Sequence, residues 1–246
     1  MPASQTSLAI VVGGLDYGEA DRIMTLLTRD RGRLKGIARS AKKSRKRFGA
    51  ALELLCKIQV RFVERPGAEL ARLESCDLVD AYPGLRSDLG RLAGATYAAE
   101  VAREAARERE AATALFDLLD HFLTRLANGP FDLGLVRVFE LRALTILGWR
   151  PELGRCARCG GSLPEDRPLL FVAESGGLLC PRCGSGARGA PLSPGTRKTL
   201  EAAQRGERVV FTRAAWRESE GPVAEFLELH LGKRLRSRPF LDVVDT

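Results

Sequence analysis

The sequence predicts an α+β protein with a small N-terminal β-barrel, then a helical domain that contains an inserted cysteine-rich segment. Three observations predict this class. The first 80 residues alternate between short apolar stretches and turn compositions, residues 85–147 show helical periodicity, and two Cys-x-x-Cys pairs follow. The predicted domains are 1–80 for the barrel, 81–150 with 190–246 for the helical domain, and 151–189 for the cysteine-rich segment.

Five predicted strands account for the barrel. In residues 56–62, apolar side chains alternate with polar ones, which is the period-two pattern of a half-buried strand. Turn compositions at 17–19 and 30–32 separate neighbouring stretches. Five short strands with no long helix between them are typical of a barrel of the OB type. The predicted strands are Leu8–Leu15, Arg22–Thr28, Arg33–Ala38, Cys56–Phe62 and Leu70–Val79.

The middle of the chain predicts three helices. Alanine is abundant over residues 93–114, and apolar residues then recur at spacings of three and four over 115–126. The sequence Asn-Gly-Pro at 128–130 ends the second helix, and the third begins near Asp132.

Two further helices are predicted near the C-terminus. Ser193 followed by Pro194 is typical of an N-cap with proline at the first helical position, so a helix is expected from there to about Arg205. The last helix is predicted over Pro222–Leu235.

The two Cys-x-x-Cys pairs, 20 residues apart, have the spacing of a tetrahedral zinc site. Two intervening residues let both sulfurs of a pair face one ion, and Gly160 and Gly184 permit the tight turns. Because four thiolates leave no open coordination position for water, one structural Zn²⁺ per chain is expected. The predicted ligands of this inserted four-cysteine zinc motif are Cys156, Cys159, Cys180 and Cys183.

Two other interpretations of these cysteines remain open at this point. The four thiols could be unligated, or one pair could be a redox centre, although a redox pair usually lies beside a βαβ pattern, which the sequence lacks. The remaining cysteines, Cys56 and Cys76, fall in strand patterns and are predicted to be core residues.

Composition and motifs argue against common enzyme classes. The two histidines, His121 and His230, lie in apolar helical patterns without a catalytic neighbour, and no P-loop, nucleophile elbow or zinc-protease helix occurs. The first apolar stretch has five residues, which is shorter than a signal peptide's apolar region of about 7 to 15 or a membrane span of about 20. We therefore expect a cytoplasmic protein that is not an enzyme and has no membrane partner.

Residues 31–48, here called the basic segment, contain nine Lys or Arg and no acidic residue, within a chain whose net charge is +8. A run of one sign repels itself, so it predicts a polyanionic ligand; the alternative is a merely solvated loop. Few aromatic residues lie nearby, which favours phosphate contacts over base readout. The predicted phosphate contacts are Arg33, Lys35, Arg39, Lys42, Lys43, Arg45, Lys46 and Arg47.

The same region resembles a known family. Gly18-Glu-Ala-Asp-Arg-Ile, then Leu26-Leu-Thr, Gly32 and Lys35-Gly-Ile-Ala-Arg-Ser-Ala-Lys-Lys-Ser-Arg are similar to the N-terminal motif of the RecO family of bacterial recombination mediators. The order of barrel, helices and late cysteine pairs is similar too, so the resemblance covers essentially the whole chain. Family members more often have Ala-Arg where this chain has Ile37-Ala38, which leaves one charge fewer here.

The resemblance implies a non-enzymatic DNA-repair protein of the nucleoid. Such a protein binds single- and double-stranded DNA, anneals complementary strands, and acts with RecR to load RecA onto DNA covered by single-strand-binding protein. The family's basic motif maps onto Lys35, Arg39, Lys42, Lys43 and Arg45, and its zinc motif onto the four cysteines.

Two alternatives of different classes remain. An RNA-binding OB-fold protein with a structural zinc ribbon would bind structured RNA equally well and would not anneal strands. A zinc-dependent enzyme that modifies nucleic acids would need a water-activating His or Glu beside an open metal position, and the sequence offers none.

Overall fold

The computed structural model describes residues 3–44 and 46–244 of the chain. Contacts group the described residues into two compact units, the first within Met1–Pro130 and Ser237–Thr246 and the second within Phe131–Arg236. Among the described helices, none is both long and apolar enough to cross a membrane.

The first unit is built on β1 (Gln5–Tyr17), β2 (Asp21–Thr28), β3 (Gly32–Ala38), β4 (Lys57–Val63) and β5 (Ala71–Asp80). These strands form a closed barrel in the order β1-β2-β3-β5-β4. The barrel closes because β1 pairs antiparallel with both β2 and β4, and β3 pairs parallel with β5. The predicted five-stranded OB-type barrel is confirmed, and each predicted strand end lies within three residues of the observed one.

The interior of the barrel follows the period-two pattern. In β4 the side chains of Ile58, Val60 and Phe62 are fully buried, and the residues between them face outward. Cys56 and Cys76 belong to the same core, as predicted. Burial raises the pKa of the Cys76 thiol to about 12, so this side chain stays protonated and apolar in character.

Seven α-helices occur in the described chain, and the alanine-rich stretch 93–114 does not form one continuous helix. The first helix ends at Ala105, because residues 106–112 leave it to pair with the barrel. The Arg33 N–H donates to the Arg107 carbonyl at 2.9 Å, and the Ala112 N–H to the Arg29 carbonyl at 3.3 Å. The helices are α1 (Leu89–Ala105), α2 (Thr113–Asn128), α3 (Leu133–Ile146), α4 (Pro181–Gly184), α5 (Pro194–Arg205), α6 (Arg213–Leu231) and α7 (Pro239–Val244).

The second unit contains α3 to α6 and a small antiparallel sheet of three strands, in which the strand that comes first in the chain lies between the other two. The sequence did not predict this sheet. The N-cap prediction for α5 is confirmed, because the Ser193 hydroxyl accepts a hydrogen bond from the Thr196 N–H at 3.3 Å. The strands are β6 (Leu169–Val172), β7 (Gly177–Leu179) and β8 (Ala190–Leu192).

The predicted start of the last long helix at Pro222 is wrong. Helix α6 begins nine residues earlier, at Arg213, after an N-cap in which the Thr212 hydroxyl accepts from the Ala215 N–H at 3.1 Å. Proline inside a helix costs a backbone hydrogen bond. The helix continues through it because both flanking segments are buried, including Trp216 and Phe226, and this packing offsets the cost.

One partly buried ion pair joins the barrel to α2. The Lys57 ammonium donates to both carboxylate oxygens of Asp120, at 2.9 and 3.1 Å, and the Tyr82 hydroxyl donates to the same carboxylate. Burial, reinforced by Asp120, raises the pKa of Tyr82, so its hydroxyl remains a donor. The Asp120 carboxylate therefore satisfies two polar groups that have left water.

We predict that Asp120→Ala lowers the free energy of unfolding by about 2 kcal/mol, because a charged acceptor is removed and two donors remain partly buried. Asp117→Ala is the matched control on the same helix. Its pair with Arg29 is about half exposed on both sides and is screened by water, so its loss should cost clearly less than the loss of Asp120. Chemical denaturation measures both values, and equal losses would contradict the prediction.

Candidate metal centre and nucleic-acid surface

The four predicted metal ligands come together. Their Sγ atoms all lie within 4.8 Å of one another, and those of Cys159 and Cys180 are 3.9 Å apart. Four sulfurs placed tetrahedrally around Zn²⁺, with Zn–S bonds of about 2.3 Å, would be about 3.8 Å apart. The cluster could therefore hold a metal ion.

Backbone hydrogen bonds position the two cysteine pairs. The Ala157 N–H donates to the Leu178 carbonyl at 2.8 Å, which ties the first pair to β7. The Arg158 guanidinium donates to the Cys183 carbonyl at 2.9 Å, which ties it to the second. Gly160 makes the predicted tight turn with φ +71°, whereas Gly184 ends α4 without a positive φ.

The protonation of the thiols differs across the cluster. Burial opposes ionisation of Cys156, but backbone N–H groups of Cys180, Cys159 and Arg158 stabilise its thiolate more strongly and lower its pKa to about 6. Hydrogen bonding to the Cys180 and Cys159 sulfurs raises the pKa of Cys183 to about 12. Four adjacent thiols cannot all ionise by themselves, and a bound cation is what removes this constraint.

The histidines take no part in this cluster. His121 is exposed on α2. His230 is part-buried, with its Nδ1 atom 2.8 Å from the Phe226 carbonyl and its ring against Trp149 and Phe226. In the described chain the candidate metal group therefore consists of cysteines only.

Two cations of the basic segment lie on β3 and face carboxylates. The Arg33 guanidinium is 3.4 Å from Glu108 and 4.0 Å from Glu104, and it also donates to the Arg103 carbonyl at 3.3 Å. The Lys35 ammonium is 3.5 Å from the same Glu108 oxygen. Arg33 is therefore mainly a structural link between β3 and the end of α1 together with the segment that follows it.

The loop after β3 packs against the hairpin formed by β1 and β2. The Ser40 N–H donates to the Asp21 carboxylate at 2.7 Å, and the Lys42 N–H to the Ala20 carbonyl at 3.1 Å. The Lys42 ammonium also pairs with Asp16 at 2.9 Å, and this hydrogen bond lowers the pKa of Asp16. The loop is thereby fixed to the hairpin tip.

Arg47 acts inside the loop. Its guanidinium donates to the Arg39 carbonyl at 2.8 Å and to the Ser44 hydroxyl at 3.0 Å, and lies 5.0 Å from the ring of Phe48, which is buried. These contacts make Arg47 a support for the loop. Its charge is used within the protein.

Fewer cations of the basic segment than predicted are exposed without a carboxylate partner among the described residues, and the three that meet both conditions are here called the open cations. Arg39, Lys43 and Lys46 are exposed, and within the described residues no carboxylate lies at ion-pair distance from them. Arg45, also predicted as a contact, lies outside the described residues. Sequence reasoning missed the role of Glu108 and Asp16, because both acids come from outside the basic segment.

Comparisons with known proteins agree with this architecture. Residues 1–82 match the family model for the Recombination protein O N terminal, and residues 86–239 match that for the Recombination protein O C terminal. The DNA repair protein RecO of Anaeromyxobacter sp. (strain K) is 42% identical over 241 residues, which is 96% of this chain and 94% of that protein.

Other relatives give the same result. The DNA repair protein RecO of Myxococcus xanthus (strain DK1622) is 39% identical over 237 residues, 95% of each chain. That of Geobacter metallireducens is 37% identical over 241 residues, 96% of each chain. With both family models matched along nearly its full length, the chain belongs to the RecO family of DNA repair proteins.

Proposed function

We propose that this protein is a non-enzymatic recombination mediator that binds single- and double-stranded DNA and anneals complementary strands. One observation carries the proposal. A family with a DNA-repair role presents here an OB-type barrel whose loop exposes Arg39, Lys43 and Lys46 without carboxylate partners among the described residues. Unpaired cations on such a loop fit the phosphates of a nucleic acid.

The mechanism is electrostatic. Two DNA strands repel each other through their phosphates, and cations that bind those phosphates lower the repulsion. Phosphate contacts carry no sequence information, so the bases stay free to pair with each other. No covalent bond is made or broken, so ATP and a nucleophile are not required.

In the cell, we propose, the protein acts with RecR to load RecA onto single-stranded DNA coated by single-strand-binding protein, in the cytoplasm at the nucleoid. Family membership supports this proposal.

The predicted domains assign DNA binding to residues 1–80, and metal binding to 151–189 within a helical domain of 81–150 and 190–246. This domain assignment stays a prediction, and the contacts within the chain group α1 and α2 with the barrel.

The role of the whole protein is tested by a strand-annealing assay on oligonucleotides coated with single-strand-binding protein, with and without RecR. Equal affinity for structured RNA without annealing would favour the RNA-binding alternative.

We further propose that the four-cysteine cluster holds one structural Zn²⁺ per chain. All donors are thiolate sulfurs at tetrahedral spacing, which suits Zn²⁺ and leaves no position for a reacting water. When bound, the ion cross-links the segment before β6 to the segment after β7. This cross-link would add to the stability of a small sheet whose strands have only three or four residues.

The first prediction from this proposal concerns the open cations. Arg39→Ala with Lys43→Ala should flatten the slope of log affinity against log salt for single-stranded DNA by about 1.4, since each phosphate that is no longer neutralised reduces the slope by about 0.7. Affinity for mixed-sequence oligonucleotides should fall to similar extents. Fluorescence anisotropy over a salt series measures both quantities.

The matched control for the open cations is Lys198→Ala with Arg167→Ala. It removes the same charge from two exposed residues of the second unit, each paired with a carboxylate. Its slope should equal that of the wild type. If both double variants flatten the slope equally, net charge explains the effect and the basic segment is not the contact surface.

The second prediction concerns the metal. The purified protein should contain about one zinc per chain, and Cys159→Ser should lose it and unfold residues near 150–192, since binding free energy on the order of 10 kcal/mol is also folding free energy. Cys76→Ala, a buried core thiol outside the cluster, should keep the metal. Atomic absorption and thermal unfolding check this. A metal-free wild type with unchanged stability would disprove the site.

A further inference from the structure

The tip of the hairpin formed by β1 and β2 exposes a large aromatic side chain. Of the three tyrosines, Tyr82 and Tyr97 are buried, with 2% and 0% of their surface exposed. Tyr17 is 55% exposed, and Leu15, two residues earlier on the same face of β1, is 57% exposed. This apolar pair is left in water at the end of the barrel's longest strand.

The tip is held against the basic segment. Its acidic residues are largely engaged, since Asp16 pairs with Lys42 and with Arg22, and Asp21 accepts the Ser40 N–H. Glu19 is the remaining acid of the turn. Ser40 and Lys42 are fixed to the hairpin that carries Tyr17, so the open cations Arg39 and Lys43, adjacent to them in sequence, belong to a loop that is anchored to the same hairpin.

We propose that Tyr17, flanked by Leu15, stacks on a base of the single-stranded DNA whose phosphates contact Arg39 and Lys43. This inference rests on the proposed function and names a second part of the same site. Proteins that bind single strands combine a cationic surface with aromatic side chains on which bases stack. Stacking is available to unpaired bases only, so Tyr17 favours single strands over duplex without reading sequence.

The test compares a dT oligomer with an abasic oligomer of the same length. Tyr17→Ala should weaken binding of the dT oligomer about 5- to 100-fold. It should leave binding of the abasic oligomer, binding of duplex and the salt slope as in the wild type. Tyr17→Phe should retain stacking, and Phe240→Ala, which removes an aromatic ring that is 59% exposed on α7, should change nothing.

The outcomes separate this inference from the proposed function. If Tyr17→Ala weakens both oligomers equally, or if the wild type binds both equally, stacking is overturned and phosphate binding stands. If the wild type binds neither oligomer with a salt-dependent affinity, the proposed function itself fails.

A separate observation concerns the acid that faces β3. Residues 106–112 pack closely against β3 at Gly32, which has φ +63°. A Cβ at this position would lie 2.3 Å from the carbonyl oxygens of Arg107 and Glu110. This close approach places Glu108 3.5 Å from the Lys35 ammonium. Lys35 has no other carboxylate partner in the described residues, whereas Arg33 is also held by Glu104 and the Arg103 carbonyl.

We infer that Glu108 competes with DNA phosphates for Lys35 and thereby limits the strength of DNA binding. This inference also rests on the proposed function. The Glu108 carboxylate offsets part of the Lys35 charge and repels a phosphate that approaches the ammonium, so a phosphate gains more from Lys35 when Glu108 moves away. The pair is about half exposed, so the displacement costs little and is reversible.

Glu108→Gln should bind single-stranded DNA about two- to five-fold more tightly at low salt, with a salt slope steeper by about 0.7. Glu110→Gln makes the same charge change in the same segment, but its carboxylate pairs with Arg107, so it should behave as the wild type. Lys35→Ala should abolish the effect of Glu108→Gln.

If Glu108→Gln and Glu110→Gln raise the affinity for single-stranded DNA equally, a general charge effect explains the gain and the competition is overturned. The same holds if Glu108→Gln still raises the affinity in a double variant with Lys35→Ala. A wild type without salt-dependent DNA binding contradicts the proposed function instead. Hydrogen exchange of residues 106–112 confirms that the segment stays in place in both variants.

Discussion

The first unit depends on how β1 divides its pairing between two neighbours. Ala9 and Ile10 pair with β2 on one side and with β4 on the other, which closes the barrel. The register then shifts between Val11 and Gly13, and the rest of β1 pairs with β2 alone. A closed barrel thus continues into a two-stranded arm, and the arm provides a second surface on which the basic segment packs.

The arm that results from this pairing of β1 helps to explain how the folded protein accommodates the like charges of the basic segment. Nine cations in 18 residues repel one another, and acids from the arm and from the segment after α1 offset part of that repulsion. Arg33, Lys35 and Lys42 are paired in this way, and Arg47 braces the loop. The structure therefore reduces a broad basic segment to a smaller set of cations that face solvent.

Sequence reasoning succeeded where one local rule decides the structure. Period-two alternation identified β4, the Ser193 N-cap identified the start of α5, and cysteine spacing identified the cluster. It failed where contacts between residues that are distant in the sequence decide the structure. Strands of three or four residues are too short to show a period, the end of α1 depends on hydrogen bonds to β3, and α6 passes through a proline because its neighbours are buried. Likewise, no local pattern shows which cations are already paired.

The proposed annealing activity sets opposite requirements on the surface that binds DNA, and the arrangement of charges is suited to both. Cations must lower the repulsion between strands, yet a surface that binds phosphates too strongly would hold a strand after it has found its complement. Surface ion pairs of modest strength are suited to this, because a solvent-exposed cation loses little when it exchanges an internal carboxylate for a phosphate. The proposed stacking on the exposed Tyr17 ring would add affinity that depends on the base being unpaired, and this contribution would disappear once the base enters a duplex. Under the proposed mechanism a strand loses this stacking contribution when it pairs and keeps its phosphate contacts, so the free energy of base pairing helps to release the product.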